Sequence, residues 1–331
     1  MERNTTGNNH PGTARLGLGL AALGRPGYIN LGHGKDLQHN YNWQQMQAHS
    51  HKMLQAAWAA GIRYFDVARS YGDGEVFLGN WLQTTRFTEE VPVCGSKWGY
   101  TYTANWQVQA EKHEVKEHSL PVLQRQYQES RQNLGDFLHL YQIHSATLQS
   151  GVLQNPPVLS ELHRLKQQGL RIGLSVSGGQ QGRAIEEALQ ISFDGELLFQ
   201  SVQATFNLLE TSVAPALQQA ANAGLTVIVK EAVANGRLAG RNPEVAPGRQ
   251  LELLARLSAE KQAGADALAL GWVLAQPWAD LVLSGAATLP QLQSNLQATE
   301  IKFSAEEMEK LQALAEIPAT YWQTRKGLAW N

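Results

Sequence analysis

The feature that most constrains the fold of this chain is a regular alternation between short apolar segments and longer amphipathic ones. From residue 60 onward, each short run of β-branched or apolar residues is followed by a helical stretch. Within residues 118–134, for example, Leu120, Leu123 and Tyr127 recur at steps of three and four along one helix face. Strands that alternate with helices form parallel sheets with helical crossovers, so the pattern predicts an α/β protein.

Eight candidate strands can be counted along the chain. They cover residues 15–19, 62–66, 91–97, 137–144, 171–175, 198–204, 226–230 and 281–284. No linker or change of composition divides the chain, so eight strand–helix units fit one closed barrel better than two doubly wound halves. We predict a single (β/α)8 TIM barrel domain over residues 1–331, with an open doubly wound sheet as the alternative.

The composition and net charge of the chain exclude some classes of binding partner. The 331 residues are 43% hydrophobic and 17% charged, and 27 Lys plus Arg against 29 Asp plus Glu give a net charge of −2. Such a chain can bury a large core, and it has no field that would attract nucleic acid or an anionic membrane. The charge-free stretch 267–279 is shorter than the ~20 residues of a membrane span. We expect no nucleic-acid or membrane partner, and no pattern predicts an oligomeric state.

The single cysteine, Cys94, excludes an internal disulfide framework, which favours a cytoplasmic protein with a buried structural thiol. His49 and His51 resemble a metal-binding pair, but no Cys or carboxylate cluster accompanies them. We interpret them as solvated histidines and predict no metal site. The segment from Gly17 to Gly19 begins like a dinucleotide fingerprint but lacks its third glycine.

Ionisable side chains end three successive predicted strands. They are Asp66, Lys97 and His144. In TIM barrels the catalytic groups lie at the C-terminal ends of the strands, so these three are expected to converge on the barrel mouth. Tyr71, in the loop that follows Asp66, can lie over them.

Such a cluster would support a specific chemistry. A tyrosine hydroxyl has an ordinary pKa near ~10, so proton transfer near neutrality requires a cation beside it. Lys97 is that cation, Asp66 would pair with it, and His144 would donate a hydrogen bond to a carbonyl oxygen. The cluster can protonate an alkoxide but supplies no hydride, which implies a nicotinamide cofactor.

Several ordered segments resemble the signature segments of the aldo-keto reductase family. They are GIRYFDVARSYG at residues 61–72, GSKWG at 95–99, YQIH at 141–144, and the segments 173–175, 203–209, 284–295 and 321–322. The resemblance covers nearly the whole chain and implies a (β/α)8 barrel with an NAD(P)(H) cofactor. It also implies a catalytic tetrad of Asp66, Tyr71, Lys97 and His144, with Tyr71 as general acid.

The same resemblance implies residues that hold the nicotinamide. Ser175 and Gln203 match positions that bind its carboxamide, whereas the family's asparagine is Val176 here, with Ser177 as the available replacement. Lys230 stands where the family usually has a stacking aromatic residue. Its stem can cover a ring face but cannot π-stack, and Phe206 is the nearest aromatic substitute.

The choice between NAD and NADP depends, by the resemblance, on the segment that follows the eighth strand. The predicted cofactor residues there are Ser284, Gly285, Gln291 and Asn295. Family members that prefer NADP place Lys or Arg at the positions of Gly285 and Gln291, and this segment has no cation. We expect NAD(H) to be used at least as well as NADP(H), unless Arg237 or Arg241 supplies the missing charge.

The family's substrate loops correspond here to residues 98–118, the loop after the seventh strand, and the C-terminus. The first is rich in aromatic residues, and Trp98 and Tyr100 are our predicted substrate contacts, although these rings could equally pack the loop on the barrel.

The sequence therefore predicts an NAD(P)-dependent aldo/keto reductase or alcohol/aldose dehydrogenase. Its substrate would be a small carbonyl compound or alcohol, such as an aldehyde, a ketone or a sugar, and the direction of reaction stays open. The alternative is a non-catalytic nucleotide-binding barrel that acts as a sensor or accessory subunit.

Overall fold

Eight parallel strands close into a barrel in the computed structural model, which describes residues 13–240, 242 and 248–331. They are β1 (Leu16–Gly19), β2 (Tyr64–Asp66), β3 (Val93–Trp98), β4 (Leu138–Ile143), β5 (Arg171–Ser175), β6 (Ser201–Thr205), β7 (Thr226–Lys230) and β8 (Leu281–Ser284). Each strand pairs with its neighbours in chain order, and β8 closes on β1. All eight predicted strands and the TIM barrel are confirmed, and the open doubly wound sheet is wrong.

The helices are those expected for such a barrel, with additions. They are α1 (His33–Asp36), α2 (Trp43–Ala59), α3 (Gly74–Thr84), α4 (Leu120–Leu134), α5 (Pro156–Gln167), α6 (Gln181–Ala188), α7 (Ala214–Asn222), α8 (Gly248–Lys261), α9 (Ala265–Leu274), α10 (Leu289–Leu296), α11 (Ala305–Gln312) and α12 (Pro318–Lys326). Local capping defines several starts, since the side chains of Asn42, Asn155 and Thr288 accept hydrogen bonds from backbone amides in the first turns of α2, α5 and α10.

Two hairpins lie outside the barrel sheet. Tyr100–Tyr102 pairs with Glu114–Lys116 in the connection from β3 to α4, and Ser192–Phe193 pairs with Glu196–Leu197 between α6 and β6. The first hairpin replaces the loop expected at residues 98–118. It follows the C-terminal end of a barrel strand, so it lies at the mouth, where barrel enzymes bind their ligands.

The described core has three parts. Tyr64, Leu140, Ile228 and Leu283 form a small cluster of inward-facing side chains in the barrel, and a larger apolar layer packs between the strands and the helices. A third, small cluster consists of Leu37, Met46 and Phe77. Cys94 is fully buried in the layer between the strands and the helices, and burial raises the pKa of its thiol, as expected of a structural cysteine.

The charge-free stretch near residue 270 belongs to the same layer, because α9 is buried from Ala267 to Leu274. Among the residues that the structure describes, no helix is long and apolar enough to cross a membrane.

Candidate active site

A cavity of about 420 Å³ opens among the loops that follow the barrel strands. This volume lies within the ~300–1,000 Å³ typical of small-molecule sites. Of the predicted site residues, those that line it are Asp66, Tyr71, Tyr100, His144, Gln203, Lys230, Ser284, Gly285, Gln291 and Asn295. They come from six of the eight strands or from the loops after them, so the barrel brings together residues from most of the chain.

A buried ion pair forms the floor beneath Tyr71. Lys97 Nζ pairs with Asp66 Oδ2 and donates a 3.1 Å hydrogen bond to the carbonyl oxygen of Val67. The hydroxyl of Tyr64 donates to Asp66 Oδ1 over 3.2 Å. Buried charges of this kind are stable only when they are paired and hydrogen-bonded, and both conditions are met here.

Tyr71 and His144 complete the group. The Tyr71 ring centre lies 5.0 Å from Lys97 Nζ and 5.6 Å from the centre of the His144 ring, at an angle of 84°. The loop that carries Tyr71 depends on two glycines. Gly72 has φ +56°, and a Cβ on Gly24 would lie 2.3 Å from the carbonyl oxygen of Tyr71. The structure therefore brings all four predicted tetrad residues to one place.

The electrostatics around Tyr71 favour its protonated form. Burial raises the pKa of its hydroxyl, the charge of Asp66 raises it further, and the Arg25 guanidinium, 5.2 Å from the ring centre, lowers it. The raised pKa keeps the Tyr71 hydroxyl protonated at neutral pH, and the nearby cations lower the cost of releasing that proton. Lys97, the cation predicted beside the Tyr71 ring, is accompanied by a second cation, Arg25.

His144 is held as a neutral imidazole. Burial and the charge of Lys97 lower its pKa well below the ordinary value. Its backbone amide donates to the carbonyl oxygen of Trp98 over 2.8 Å, and its own carbonyl oxygen lies 2.9 Å from His118 Nε2. These contacts hold the backbone of His144 in place, and its ring nitrogen Nδ1 is buried with no hydrogen-bond partner among the described residues.

Gln203 has the right chemistry for a carboxamide partner. Its Nε2 donates to Asp66 Oδ1 over 2.9 Å, and its Oε1 is buried without a hydrogen-bond partner. An unpartnered buried carbonyl oxygen fits the N–H donors of a nicotinamide amide. Ser177 also lines the cavity, whereas Val176 is buried in the outer core. Ser175 does not line the cavity, because its Oγ accepts a 2.9 Å hydrogen bond from the Ser145 amide.

At the end of β7, Lys230 belongs to a chain of polar contacts. Its Nζ donates to Thr205 Oγ1 over 2.6 Å, and Thr205 Oγ1 lies 3.1 Å from Glu231 Oε2. Arg325 binds the Glu231 carboxylate in a bidentate ion pair. Burial lowers the pKa of Lys230 to about 8. Burial would raise the pKa of Glu231, but the charges of Arg325 and Lys230 outweigh it and lower that pKa to about 2.

Trp98 and Phe206 do not have the positions predicted for them. Trp98 is fully buried in the outer core, and Phe206 stacks on Trp272 with ring centres 5.2 Å apart. Neither lines the cavity. Successive residues of a strand face opposite sides, so Trp98 points away from the mouth when Lys97 points toward it. Tyr100, from the hairpin, does line the cavity, with its ring centre 4.8 Å from that of His144.

The segment after β8 forms another wall of the cavity. Asn295 and Ser284 are hydrogen-bonded through their side chains over 2.8 Å, and Gln291 Oε1 accepts from the Ala287 amide over 2.8 Å. A Cβ on Gly285 would meet only Asn30 Nδ2, at 3.9 Å, so its backbone is open to the cavity.

Of the two arginines considered for the cofactor phosphate, the one that the structure describes, Arg237, is engaged in an ion pair. Arg237 is buried and bound to Glu316, with Nη1 3.1 Å from Oε2. Arg241 lies outside the described residues.

Sequence reasoning missed several charged residues of the cavity. They are Arg25, Glu114, Glu231, Asp266 and Lys326. Arg25, Glu231 and Asp266 lie on connections that follow barrel strands, so the rule that barrel sites are built from these connections could have found them. It was applied only to the second, third and fourth strands.

The interpretation of His49 and His51 as solvated is wrong. Their Nε2 atoms lie 2.6 and 3.0 Å from the carbonyl oxygens of Ala287 and Phe77, and both rings are half-buried. Within the described ranges, no group of three or more His, Cys, Asp or Glu side chains could hold a metal ion.

Comparisons with known proteins show which family this chain resembles. The sequence model of the Aldo/keto reductase family matches residues 15–316. The curated aldo-keto reductase str7 from Strobilurus tenacellus is 24% identical over 322 residues, which cover 90% of this chain and 87% of that protein.

Two solved structures have the same fold. The aldo-keto reductase AKR11C1 from Bacillus halodurans, in its holo form, has a TM-score of 0.68 at 23% identity, over 92% of this chain and 95% of that one. The glycerol dehydrogenase AKR11B4 from Gluconobacter oxydans has a TM-score of 0.67 at 19% identity, over 91% and 90%. The family match supports an oxidoreductase that uses a nicotinamide cofactor. The chain belongs to the aldo/keto reductase family.

Proposed function

We propose that this protein is an NAD(P)(H)-dependent oxidoreductase that interconverts a small carbonyl compound and its alcohol in the cavity at the barrel mouth. The observation that carries the proposal is the convergence of four side chains. The Asp66–Lys97 pair lies beneath the Tyr71 ring, and His144 lies edge-on to that ring at 5.6 Å. The family membership supports the same class of reaction.

In the direction of reduction, Tyr71 is the general acid. Its hydroxyl is protonated at neutral pH and transfers its proton to the carbonyl oxygen as negative charge develops there. Lys97 and Arg25 stabilise the tyrosinate that remains, since both cations lie near 5 Å from the ring centre. In the direction of oxidation, the same groups return the proton to Tyr71.

His144 orients the substrate. A neutral imidazole donates one N–H, and its low pKa keeps it from competing with Tyr71 as a proton source. A hydrogen bond from this ring to the carbonyl oxygen would hold that oxygen in reach of the tyrosine hydroxyl. Tyr100, which packs against His144, is the substrate contact that we retain from the sequence prediction.

The bound nicotinamide cofactor supplies or accepts the hydride. On this chain's side, Gln203 offers its free Oε1 to the carboxamide, and the alkyl stem of Lys230 offers an apolar surface. Ser284, Gly285, Gln291 and Asn295 line the wall that we assign to the phosphate and adenosine half. None of these four is a cation, so we propose that NAD(H) is used at least as well as NADP(H).

The proposal also includes a cellular location. A cytoplasmic location fits the single cysteine, Cys94, which is buried. The alternative of a non-catalytic sensor gains no support from the geometry, because Asp66, Tyr71 and His144 line one cavity and Lys97 pairs with Asp66 beside it.

Equilibrium titration and assay in both directions test the proposal. Fluorescence or calorimetric titration with NADH, NADPH and their oxidised forms gives the affinities. The wild type and Tyr71→Phe are then assayed over aldehydes, ketones, sugars and polyols, with glycerol among the polyols because one fold neighbour is described as a glycerol dehydrogenase. We expect dinucleotide binding by both proteins and turnover only by the wild type. Binding without turnover by the wild type over the whole panel would favour the sensor.

A further inference from the structure

The wall of the cavity next to β8 carries a carboxylate that no step of the proposed reaction uses. Asp266, in the first turn of α9, lines the cavity together with Ser284, Gly285, Gln291 and Asn295. In barrels the phosphate-binding region lies beyond the seventh and eighth strands, which is where these residues lie. A negative charge is the opposite of what a phosphate site needs, so its presence there requires an explanation.

The Asp266 carboxylate is held in place by two neutral donors. Ser294 Oγ donates to Oδ1 over 2.7 Å. The amide nitrogen of Asn295 donates to Oδ2 over 2.8 Å in the orientation in which its oxygen accepts from Ser284 Oγ. The Asp266–Ser294 hydrogen bond requires a glycine at position 264, because a Cβ there would lie 2.4 Å from Asp266 Oδ1 and 2.5 Å from Ser294 Oγ. Each carboxylate oxygen can accept more than one hydrogen bond, so capacity remains for a ligand.

Within the described part of the chain, this carboxylate has no cationic partner. Among the side chains that the structure describes, no lysine, arginine or histidine forms an ion pair with Asp266. Three cations that line the cavity pair with other carboxylates, since Arg325 and Lys230 pair with Glu231 and Arg25 pairs with Glu114.

We propose that Asp266 determines the choice of cofactor. Its carboxylate accepts hydrogen bonds from the adenosine ribose of NAD(H) and repels the 2′-phosphate of NADP(H). The inference rests on the proposed function, because it requires a dinucleotide in this cavity, but it goes further than the absence of a cation. A missing cation only removes a preference for NADP(H), whereas a fixed, unpaired carboxylate creates a preference for NAD(H).

General chemistry supports this assignment. In another dinucleotide-binding fold, an acidic residue binds the ribose 2′-hydroxyl of NAD and an arginine accommodates the 2′-phosphate of NADP. Hydrogen bonds from a hydroxyl to a carboxylate are stronger than those between neutral groups. A phosphate monoester carries nearly two negative charges at pH 7, and it would meet Asp266 with only amide and hydroxyl groups around it.

Binding measurements on the full chain test the proposal without depending on turnover. Dissociation constants for NADH and NADPH are measured by titration for the wild type, for Asp266→Asn and for the control Glu309→Gln. The control removes the same charge from an exposed position on α11. We expect the wild type to bind NADH at least about tenfold more tightly than NADPH, and Asp266→Asn to lower that ratio about tenfold or more. The ratio in Glu309→Gln should match the wild type.

Two further measurements keep the test decisive. In Gly264→Ala the carboxylate is displaced but its charge is kept, so NADH binding should weaken without a gain for NADPH. Higher salt should improve NADPH binding relative to NADH in the wild type and much less in Asp266→Asn, because salt screens the repulsion.

The outcomes separate this inference from the proposed function. A wild type that binds NADPH more tightly than NADH, or a ratio in Asp266→Asn within twofold of the wild type, overturns the role of Asp266 alone. If neither dinucleotide binds the wild type, the proposed function fails and this inference fails with it.

Discussion

The side-chain amide of Gln203 donates a 2.9 Å hydrogen bond to Asp66 Oδ1, across the barrel and between residues 137 positions apart. The other oxygen of the same carboxylate pairs with Lys97. Asp66 therefore connects the group that we assign to the cofactor carboxamide with the cation beneath Tyr71. Because Gln203 uses its nitrogen for this contact, its oxygen is the atom left free for a ligand.

Tyr71→Phe removes the proton donor but little of the cavity surface. We expect kcat for carbonyl reduction to fall by ~100-fold or more, as is typical for the loss of a general acid, with the cofactor Kd nearly unchanged. Steady-state kinetics and cofactor titration measure the two quantities. Tyr127→Phe, in a partly buried tyrosine on α4, is the matched control and should retain activity. Retention of most of the wild-type rate by Tyr71→Phe would contradict the tetrad assignment.

Lys97→Met leaves the Asp66 charge without its cationic partner. The pKa of the Tyr71 hydroxyl should rise for two reasons. A cation that stabilises the tyrosinate is lost, and the negative charge of Asp66 is no longer offset. We expect a large loss of kcat and a displacement toward higher pH of the limb of the pH–rate profile that reports Tyr71. An unchanged profile would show that Lys97 does not act on Tyr71.

His144→Ala should lower kcat/KM for the carbonyl substrate while the cofactor Kd stays within about twofold, because the ring faces Tyr71 and Tyr100. His144→Asn retains a donor and should recover part of the rate. The pH dependence between 5 and 8 should contain no limb from His144, since its pKa lies well below the ordinary value. Equal damage to cofactor binding and catalysis would indicate a general structural role.

Arg325→Met should destabilise the protein in a pH-dependent way. Removing one partner of a fully buried ion pair costs ~3–5 kcal/mol, and a smaller cost is expected here because the Arg325 side chain is 22% exposed. The folded-state pKa of Glu231 is lowered to about 2, so this pair stabilises the protein above the ordinary pKa of 4.5 and loses that contribution as the pH falls toward 2.

The difference in Tm between the wild type and Arg325→Met should therefore be largest near pH 7 and should shrink below pH 4.5. Thermal unfolding at pH 7, 5 and 4 measures it. Glu231→Gln combined with Arg325→Met should recover part of the loss at pH 7. A Tm difference that is the same at every pH would show that the effect comes from packing and not from the charge of Glu231.

The sequence by itself determined the barrel and the core of the candidate site. Strand periodicity places Asp66 and Lys97 on the inward faces of adjacent strands, and the rule for strand ends then brings His144 to the same mouth. These inferences succeed because the alternation of side chains along a strand is a local property of the extended backbone. The same alternation excludes Trp98, the neighbour of Lys97, from the cavity, and applying it to that residue would have corrected the prediction.

The tertiary structure alone decided how residues outside the strands meet. Arg325 reaches Glu231 over 94 positions, and Arg25 lies over Tyr71 although two helices and a strand separate them in the chain. Asp266 faces the cavity because Ser294 and Asn295 hold its carboxylate. These two residues lie on α10, and β8 separates α10 from α9 in the chain. No local pattern records such contacts, because the energy that fixes a loop or a helix end comes from packing and charge pairing between segments that only the closed barrel brings together.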